Sequence, residues 1–200
     1  MNSKIILLFG LITLSTVLSG CGPRAAFNQR TFILEASRNG PRQNTSKDII
    51  LEVKNFGIDR PFGSKGLVYR KVSSEYETDF YNQFLISPEN MVTEKTRAWL
   101  SESGLFKWVL EPGSYADATH KLEGNITALY GDFSNESTPR AKMEIRLFVI
   151  KLSDKSIVFG KTYIALSDVK SRTSEGLISA FDNCLMTILS DLEKDLETQL

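Results

Sequence analysis

Histidine is scarce in this chain of 200 residues, which contains only His120. Protein zinc sites usually take several imidazole or thiolate ligands, so the sequence predicts no metal centre unless carboxylates supply the ligands. The G-x-S-x-G, Walker A and G-x-G-x-x-G motifs are also absent. The phrase Gly63–Gly66 is glycine-flanked and basic, but it lacks the spacing of a phosphate-binding loop and precedes a predicted strand. We therefore predict that the protein is not an enzyme and has no catalytic residue and no cofactor.

An excess of charge of one sign is missing as well, because 24 lysines and arginines balance 24 aspartates and glutamates. A basic excess would favour nucleic-acid binding, and an acidic excess would favour a disordered tail, so we expect neither. A long apolar stretch does occur at the N-terminus, where residues 5–18 follow Lys4 and are interrupted by small and polar residues. The stretch is too short for a stable membrane-spanning helix and has the layout of a secretory signal peptide.

The signal peptide ends in Leu18–Cys21 (LSGC), which resembles the lipobox of bacterial lipoproteins. By that resemblance residues 1–20 are removed and Cys21 becomes the mature N-terminus. Its sulfur then carries diacylglycerol, and its amino group carries an acyl chain such as palmitate. Several acyl chains hold a protein stably to a membrane, whereas a single chain does so only marginally. The alternative is an ordinary cleaved signal followed by an unrelated cysteine.

The residue after the lipid-attachment cysteine is Gly22. In enterobacterial lipoproteins an aspartate at this position signals retention in the inner membrane, so glycine favours the outer membrane, with the domain facing the periplasm. Residues 21–30 are predicted to be a flexible tether, and residues 31–200 a single domain of ordinary size. Once Cys21 carries lipid, Cys184 has no partner for a disulfide, and we expect it to be an inert buried thiol.

Alternating apolar and polar residues predict strands through much of the domain. The last three strands are joined by short connections, which indicates an antiparallel meander. The far end of 141–152 carries apolar residues on both faces, so we expect both of its sides to be covered. The predicted strands are 31–36, 49–56, 66–70 and 76–78 as a hairpin, 105–110, 121–133, 141–152 and 157–166.

Two main helices are predicted, at about 88–103 and 174–198. Ser87 suits the cap of the first helix, and Pro88 suits its first position, where no amide donor is needed. The second helix carries an apolar stripe at steps of three and four residues. The stripe lasts fewer than four heptads, which favours a core face over a coiled coil. The order of elements predicts an α+β fold, with a mainly antiparallel sheet and both helices packed on one of its faces.

Aromatic residues are dense before the first predicted helix. Phe80 and Phe84 stand at helical spacing within 79–85, with Tyr76 and Tyr81 beside them. One interpretation is core packing, and the other is an exposed apolar surface for a partner or for lipid. The sequence leaves both interpretations open.

Four phrases of the domain carry a family resemblance. They are residues 32–34 (FIL), 66–70 (GLVYR), 96–106 (TRAWLSESGLF) and 122–133 (LEGNITALYGDF). In this order, behind a lipobox and before a long terminal helix, they resemble the ABC-type transport auxiliary lipoproteins, which include the paraquat-inducible protein C group. The likeness covers essentially the whole mature chain. One departure is that residues 74–81 (SEYETDFY) stand where the paraquat-inducible members tend to have a tryptophan-containing phrase.

The resemblance implies a lipid-anchored outer-membrane component of a system that moves lipids between membranes or maintains the envelope. Its partners are then an ABC transporter and a periplasm-bridging protein with mammalian-cell-entry (MCE) domains, contacted by docking rather than catalysis. Self-association into a homo-oligomer stays open. One alternative is an assembly or plug lipoprotein for an outer-membrane barrel, as in lipopolysaccharide export. A less favoured alternative is a secreted hydrolase.

Overall fold

A computed structural model describes residues 28–44, 46–135 and 137–200. The predicted signal peptide, the predicted lipid-attachment residue Cys21 and most of the predicted tether lie outside the described residues, so these remain predictions. No helix within the described ranges combines the length and the apolar character needed to cross a membrane.

The described residues form nine strands, one 3₁₀ turn and two helices. In chain order they are β1 (Arg30–Phe32), β2 (Lys47–Val53), β3 (Gly57–Ile58), the 3₁₀ turn (Arg60–Phe62), β4 (Gly66–Val72), β5 (Glu75–Phe84), α1 (Pro88–Ser103), β6 (Phe106–Leu110), β7 (His120–Asp132), β8 (Arg140–Lys151), β9 (Ser156–Asp168) and α2 (Ser174–Gln199). Both predicted helices, the hairpin and the three long strands are confirmed. The helical spacing within 79–85 is misleading, because most of that segment belongs to β5, and the first predicted strand is shorter than expected.

The nine strands join one mixed sheet that is centred on β7. β7 pairs antiparallel with β8 along its whole length, and β8 pairs antiparallel with β9, which confirms the meander. On its other side β7 pairs in turn with β2, β3 and β4, each time in parallel. β5 follows β4 as a hairpin, and β1 and β6 add in parallel to β5 and β2. The α+β fold is confirmed, and the sheet is mixed because long connections let strands far apart in sequence run in the same direction.

Both helices cover the same face of the sheet, as predicted. α2 packs on β8 and β9, α1 packs on β2 and β6, and the two helices contact each other. The apolar stripe of α2 is buried, at Leu177, Ile178, Phe181, Cys184, Leu185, Ile188, Leu189, Leu192 and Leu196. The opposite face of the sheet is covered by neither α1 nor α2, and we call it the open face.

The carboxylate of Glu193 joins both helices to the segment that follows β1. Glu193 on α2 accepts a hydrogen bond from Trp99 Nε1 of α1 at 2.7 Å. It also accepts from the Arg38 guanidinium at 2.8 and 2.9 Å, and this hydrogen bonding raises the pKa of Arg38. Hydrogen bonds to an ionised group are stronger than neutral ones, so this contact holds the helical layer firmly.

Candidate docking surface

The titratable residues singled out in the sequence are not brought together. His120 begins β7, its Nδ1 lies 3.0 Å from Thr119 Oγ1, and burial together with the charge of Lys151 lowers its pKa. Cys184 donates to the carbonyl of Ala141 at 3.6 Å, and burial raises the pKa of its thiol to about 12. A thiol with that pKa stays protonated near neutral pH and is a poor nucleophile. Across the described ranges, no three histidine, cysteine, aspartate or glutamate side chains converge as metal ligands.

An open groove of about 660 Å³ lies between the end of β2 and the loop after β6. Arg97 is buried at its wall and donates from Nη1 to Glu94 at 2.6 Å. Its Nε has no hydrogen-bond partner among the described residues. The charged residues of the lining are Glu52, Lys54, Arg97, Glu111 and Asp117. This lining differs from the largely apolar walls that bind small hydrophobic ligands, so the groove is a poor acyl-chain site.

The aromatic group divides between core and surface, and a role of its exposed members in binding a partner or lipid stays a prediction. Phe84 is 2% exposed, and its ring lies 6.3 Å from that of Phe181 on α2, so it is a core residue. Phe80 and Tyr81 are exposed and contact each other edge to face, with ring centroids 5.6 Å apart. In a regular strand residues four positions apart lie on the same face, so the different surroundings of Phe80 and Phe84 reflect the irregular register of β5 between them.

One end of the open face is closed by side chains of the sheet and by Phe62 of the 3₁₀ turn, whose ring stacks on that of Tyr130 with centroids 5.8 Å apart. Tyr76 of β5 packs edge to face on Tyr130 of β7, at 5.3 Å between centroids. Arg70 of β4 lies over the same ring at 5.3 Å and forms an ion pair with Asp132. Burial favours a higher pKa for Asp132, but hydrogen bonds from Arg70 and Ser134 outweigh it and lower the pKa to about 2. These contacts join the β4–β5 hairpin to the centre of the sheet.

The other end of the open face exposes apolar side chains along β9. Ile157, Ile164 and Leu166 are 64%, 60% and 53% exposed. Phe148 and Ile150 of β8 are half-buried on the same face, because the register places them opposite Gly160 and Ile157. The predicted covering of this end is therefore only partial. We call Phe148, Ile150, Ile157, Ile164 and Leu166 the β9 surface.

β9 is also an edge strand, since among the described strands it pairs only with β8. Free backbone groups at such an edge can pair with a strand of another chain, so natural proteins usually protect them. The helix-facing side of β9 is fixed. Tyr163 Oη and Lys161 Nζ donate to the same oxygen of Asp195 on α2, at 2.6 and 2.7 Å. β9 thus presents an unpaired edge and an apolar face while its other side is held in place.

The β9 surface was not predicted from the sequence, although the sequence carries a signal for it. A half-exposed strand alternates apolar and polar residues, whereas Tyr163–Leu166 is apolar throughout. Such a run usually indicates a strand covered on both faces. In the described structure only the face toward α2 is covered.

The fold matches solved structures at low sequence identity. The crystal structure of protein XCC0632 from Xanthomonas campestris, described with family DUF330, matches at a TM-score of 0.68 with 17% identity, over 82% of this chain and 91% of that one. The crystal structure of an uncharacterized protein matches at 0.65 with 11% identity, over 84% of this chain and 99% of that one. Lipoprotein GNA1162 from Neisseria meningitidis matches at only 0.39 with 10% identity, over 72% and 99% of the two chains. No protein-family model matches the sequence, and no curated protein does so. The first two matches establish a shared fold and nothing finer.

Proposed function

We propose that the protein is a lipid-anchored accessory component of an ABC transporter and MCE-type system, which moves lipids between membranes or maintains the envelope. It acts at the outer membrane and works by docking a protein partner rather than by catalysis. The observation that carries the proposal is the β9 surface beside an unpaired strand edge. The lipobox that ends in Cys21 and the phrases resembling ABC-type transport auxiliary lipoproteins support it.

Docking uses the two features of β9 together. An extended segment of the MCE-domain protein adds to the strand edge, where backbone hydrogen bonds supply affinity with little dependence on sequence. The β9 surface supplies specificity and burial, at about 25 cal/mol for each Å² of apolar area removed from water. The bonds of Tyr163 and Lys161 to Asp195 keep β9 in place, so the partner meets an ordered edge.

The anchor is tested with Cys21→Ala. We expect wild-type protein to incorporate labelled palmitate and to fractionate with the membrane, and the variant to do neither while its domain stays folded. Complementation of a deletion strain should fail for the variant, because an accessory released from the membrane no longer holds its partner there. Normal complementation by a released, unlabelled variant would count against anchoring as the mechanism.

Docking is tested with Leu166→Asp, and Val72→Asp is the matched control because its side chain has the same exposure but lies at the end of β4. After cross-linking in cells, the MCE-domain protein should co-purify with wild type and with the control. We expect at least about tenfold less with Leu166→Asp, which is a loss of about 1.4 kcal/mol. Recovery of an outer-membrane barrel instead would favour the plug lipoprotein. Hydrolytic activity that single carboxylate substitutions abolish would favour the hydrolase.

A further inference from the structure

A bulge interrupts β5 where it passes the start of β4. Gly66 of β4 lies opposite Gln83, but Val68 lies opposite Thr78, so β5 contains more residues here than the strand beside it. Extra residues in one strand of a pair must leave the plane of the ladder. The residues displaced in this way include the exposed aromatic pair of β5, Phe80 and Tyr81.

The bulge is ordered by hydrogen bonds of its own. Asp79 Oδ1 accepts from the backbone nitrogens of Tyr81 and Asn82 at 2.8 and 3.0 Å. Asp79 Oδ2 accepts from Asn82 Nδ2 at 2.8 Å. Phe80 is 66% exposed although its backbone is held on both sides. The aromatic side chains are thus presented at a fixed position, which reduces the entropy lost when they bind a surface.

The predicted tether reaches the domain at this bulge. Gln29 Nε2 donates to the carbonyl of Phe80 at 3.0 Å, and Arg30 begins β1 opposite Asn82 of β5. The chain from Cys21 to Gln29 advances by eight residues (29 minus 21), which span at most about 29 Å when fully extended. A lipid on Cys21 therefore keeps this part of the domain within about 30 Å of the bilayer surface.

Further exposed apolar side chains lie beside the bulge. Ile33 follows β1, and Leu85 and Ile86 follow β5. The backbone nitrogen of Leu85 donates to the carbonyl of Phe32 at 2.8 Å, which brings the ends of the two strands together. Lys65 Nζ lies 2.9 Å from the carbonyl of Leu85 and places a cation at the margin. We call Ile33, Phe80, Tyr81, Leu85 and Ile86 the tether patch.

We propose that the tether patch rests in the headgroup region of the bilayer that carries the lipid anchor, an inference that depends on the anchor in the proposed function. Aliphatic and phenyl side chains with a tyrosine hydroxyl suit the boundary between acyl chains and headgroups. The ammonium of Lys65 is attracted to anionic headgroups. A short tether raises the local concentration of patch and membrane, so a weak contact is enough. β9 is separated from β1 by β5, β4, β7 and β8 in the sheet and stays free for a protein partner.

The test places a nitroxide on a cysteine introduced by Phe80→Cys, with Ile164→Cys on β9 as the control of similar exposure. Because Cys21 carries lipid and Cys184 is buried, the introduced thiol is the exposed one. The lipidated protein is reconstituted in vesicles of phosphatidylethanolamine and phosphatidylglycerol. When the protein is bound to vesicles, the ratio of oxygen to nickel-chelate accessibility should rise about threefold or more at position 80, because the nitroxide then lies about 5 Å into the headgroup region. The ratio should not rise at position 164.

Each other outcome overturns the inference in a distinct way. Lipidated protein that does not sediment with the vesicles removes the anchor and the proposed function together. Protein that sediments while both labels stay equally open to the nickel chelate removes the tether patch and leaves the anchor intact. Dipolar broadening at position 80 would show that a second copy covers the patch. Protection that appears only after addition of the MCE-domain protein would assign the patch to that partner. Leu85→Cys repeats the measurement without altering Phe80.

Discussion

Among the described strands β1, β6 and β9 are edge strands, and the edges at β1 and β9 are built in opposite ways. At one edge β1 covers β5, and a bulge displaces Phe80 and Tyr81 from the ladder. At the other edge β9 follows β8 with a nearly continuous register and has no further strand beside it in the described structure. Both edges expose apolar side chains, but those of β9 lie on a pleated face and those of the bulge project beyond it. A pleated edge suits an extended protein segment, and a projecting tip suits a soft surface such as a bilayer. The geometry of an apolar surface therefore says more about its partner than its hydrophobicity does.

The largest expected effect separates core from surface within β5. Phe84→Ala should lower the free energy of unfolding by about 3–5 kcal/mol, because it leaves a cavity beside Phe181. Phe80→Ala, four positions earlier, should change it by less than about 0.5 kcal/mol. Urea denaturation followed by circular dichroism measures both variants. A comparable loss in the two would mean that the bulge belongs to the core, which would remove the tether patch.

A smaller effect is expected when the glycine of β4 beside the bulge is replaced. A Cβ at Gly66 would lie 2.6 Å from the carbonyl oxygen of Asp79, so Gly66→Ala must shift the bulge backbone. At the other edge, a Cβ at Gly160 would lie 3.0 Å from the ring of Phe148, and a side chain yields more easily than backbone. We expect Gly66→Ala to cost about 1–3 kcal/mol and Gly160→Ala less than about 1 kcal/mol. Equal costs in urea denaturation would contradict the difference between the edges.

Regular elements are predictable from the sequence because their periods are local. The stripe of α2 and the alternation along β7 to β9 need only neighbouring residues to be recognised. The bulge is different. Phe80 and Phe84 fit helical spacing, and the segment becomes a strand through pairing with β1 and β4, which lie elsewhere in the sequence. A local sequence pattern holds no information about such pairing, so it cannot show that the strand is favoured over a helix.

The candidate surfaces are less predictable than the fold. The apolar run at Tyr163–Leu166 indicates that both faces of β9 are suited to burial, but not that one of them stays uncovered. That outcome depends on where both helices pack, which is a property of the whole fold. The lipid attachment at Cys21, by contrast, is predicted from local sequence alone. It is read from a short motif and lies outside the described residues, so it remains a prediction that labelling must test.

Acid should loosen the β4–β5 side of the sheet through Asp132. Its pKa is about 2 in the fold against 3.8 ordinarily, so the ionised form is favoured by folding. The resulting stability is present above pH 3.8 and is lost as the pH falls through the folded value. Allowing for partial solvent screening, we expect about 1–2 kcal/mol. Urea denaturation between pH 5 and pH 2 should therefore show a smaller decline for Asp132→Asn than for wild type. Parallel declines would mean that Arg70 contributes little there.

The smallest expected effect concerns the attachment of β9 to α2. The two donors to Asp195 differ, since the Lys161 side chain is about half exposed and Tyr163 is buried. An exposed ion pair contributes about 0.5 kcal/mol or less, so Lys161→Met should barely change the free energy of unfolding. Tyr163→Phe removes a buried donor to an ionised carboxylate and should cost about 1–1.5 kcal/mol.

Hydrogen exchange along β9 distinguishes this local attachment from global stability. Tyr163→Phe should speed exchange in β9 more than in β5, because the lost hydrogen bond joins β9 to α2, whereas β5 contacts α2 through other side chains such as Phe84. Lys161→Met serves as the matched control, since it removes the other donor to the same oxygen. Faster exchange spread evenly over both edges would mean that Asp195 stabilises the whole sheet. The hydrogen bond of Tyr163 would then not be a local attachment of the β9 edge.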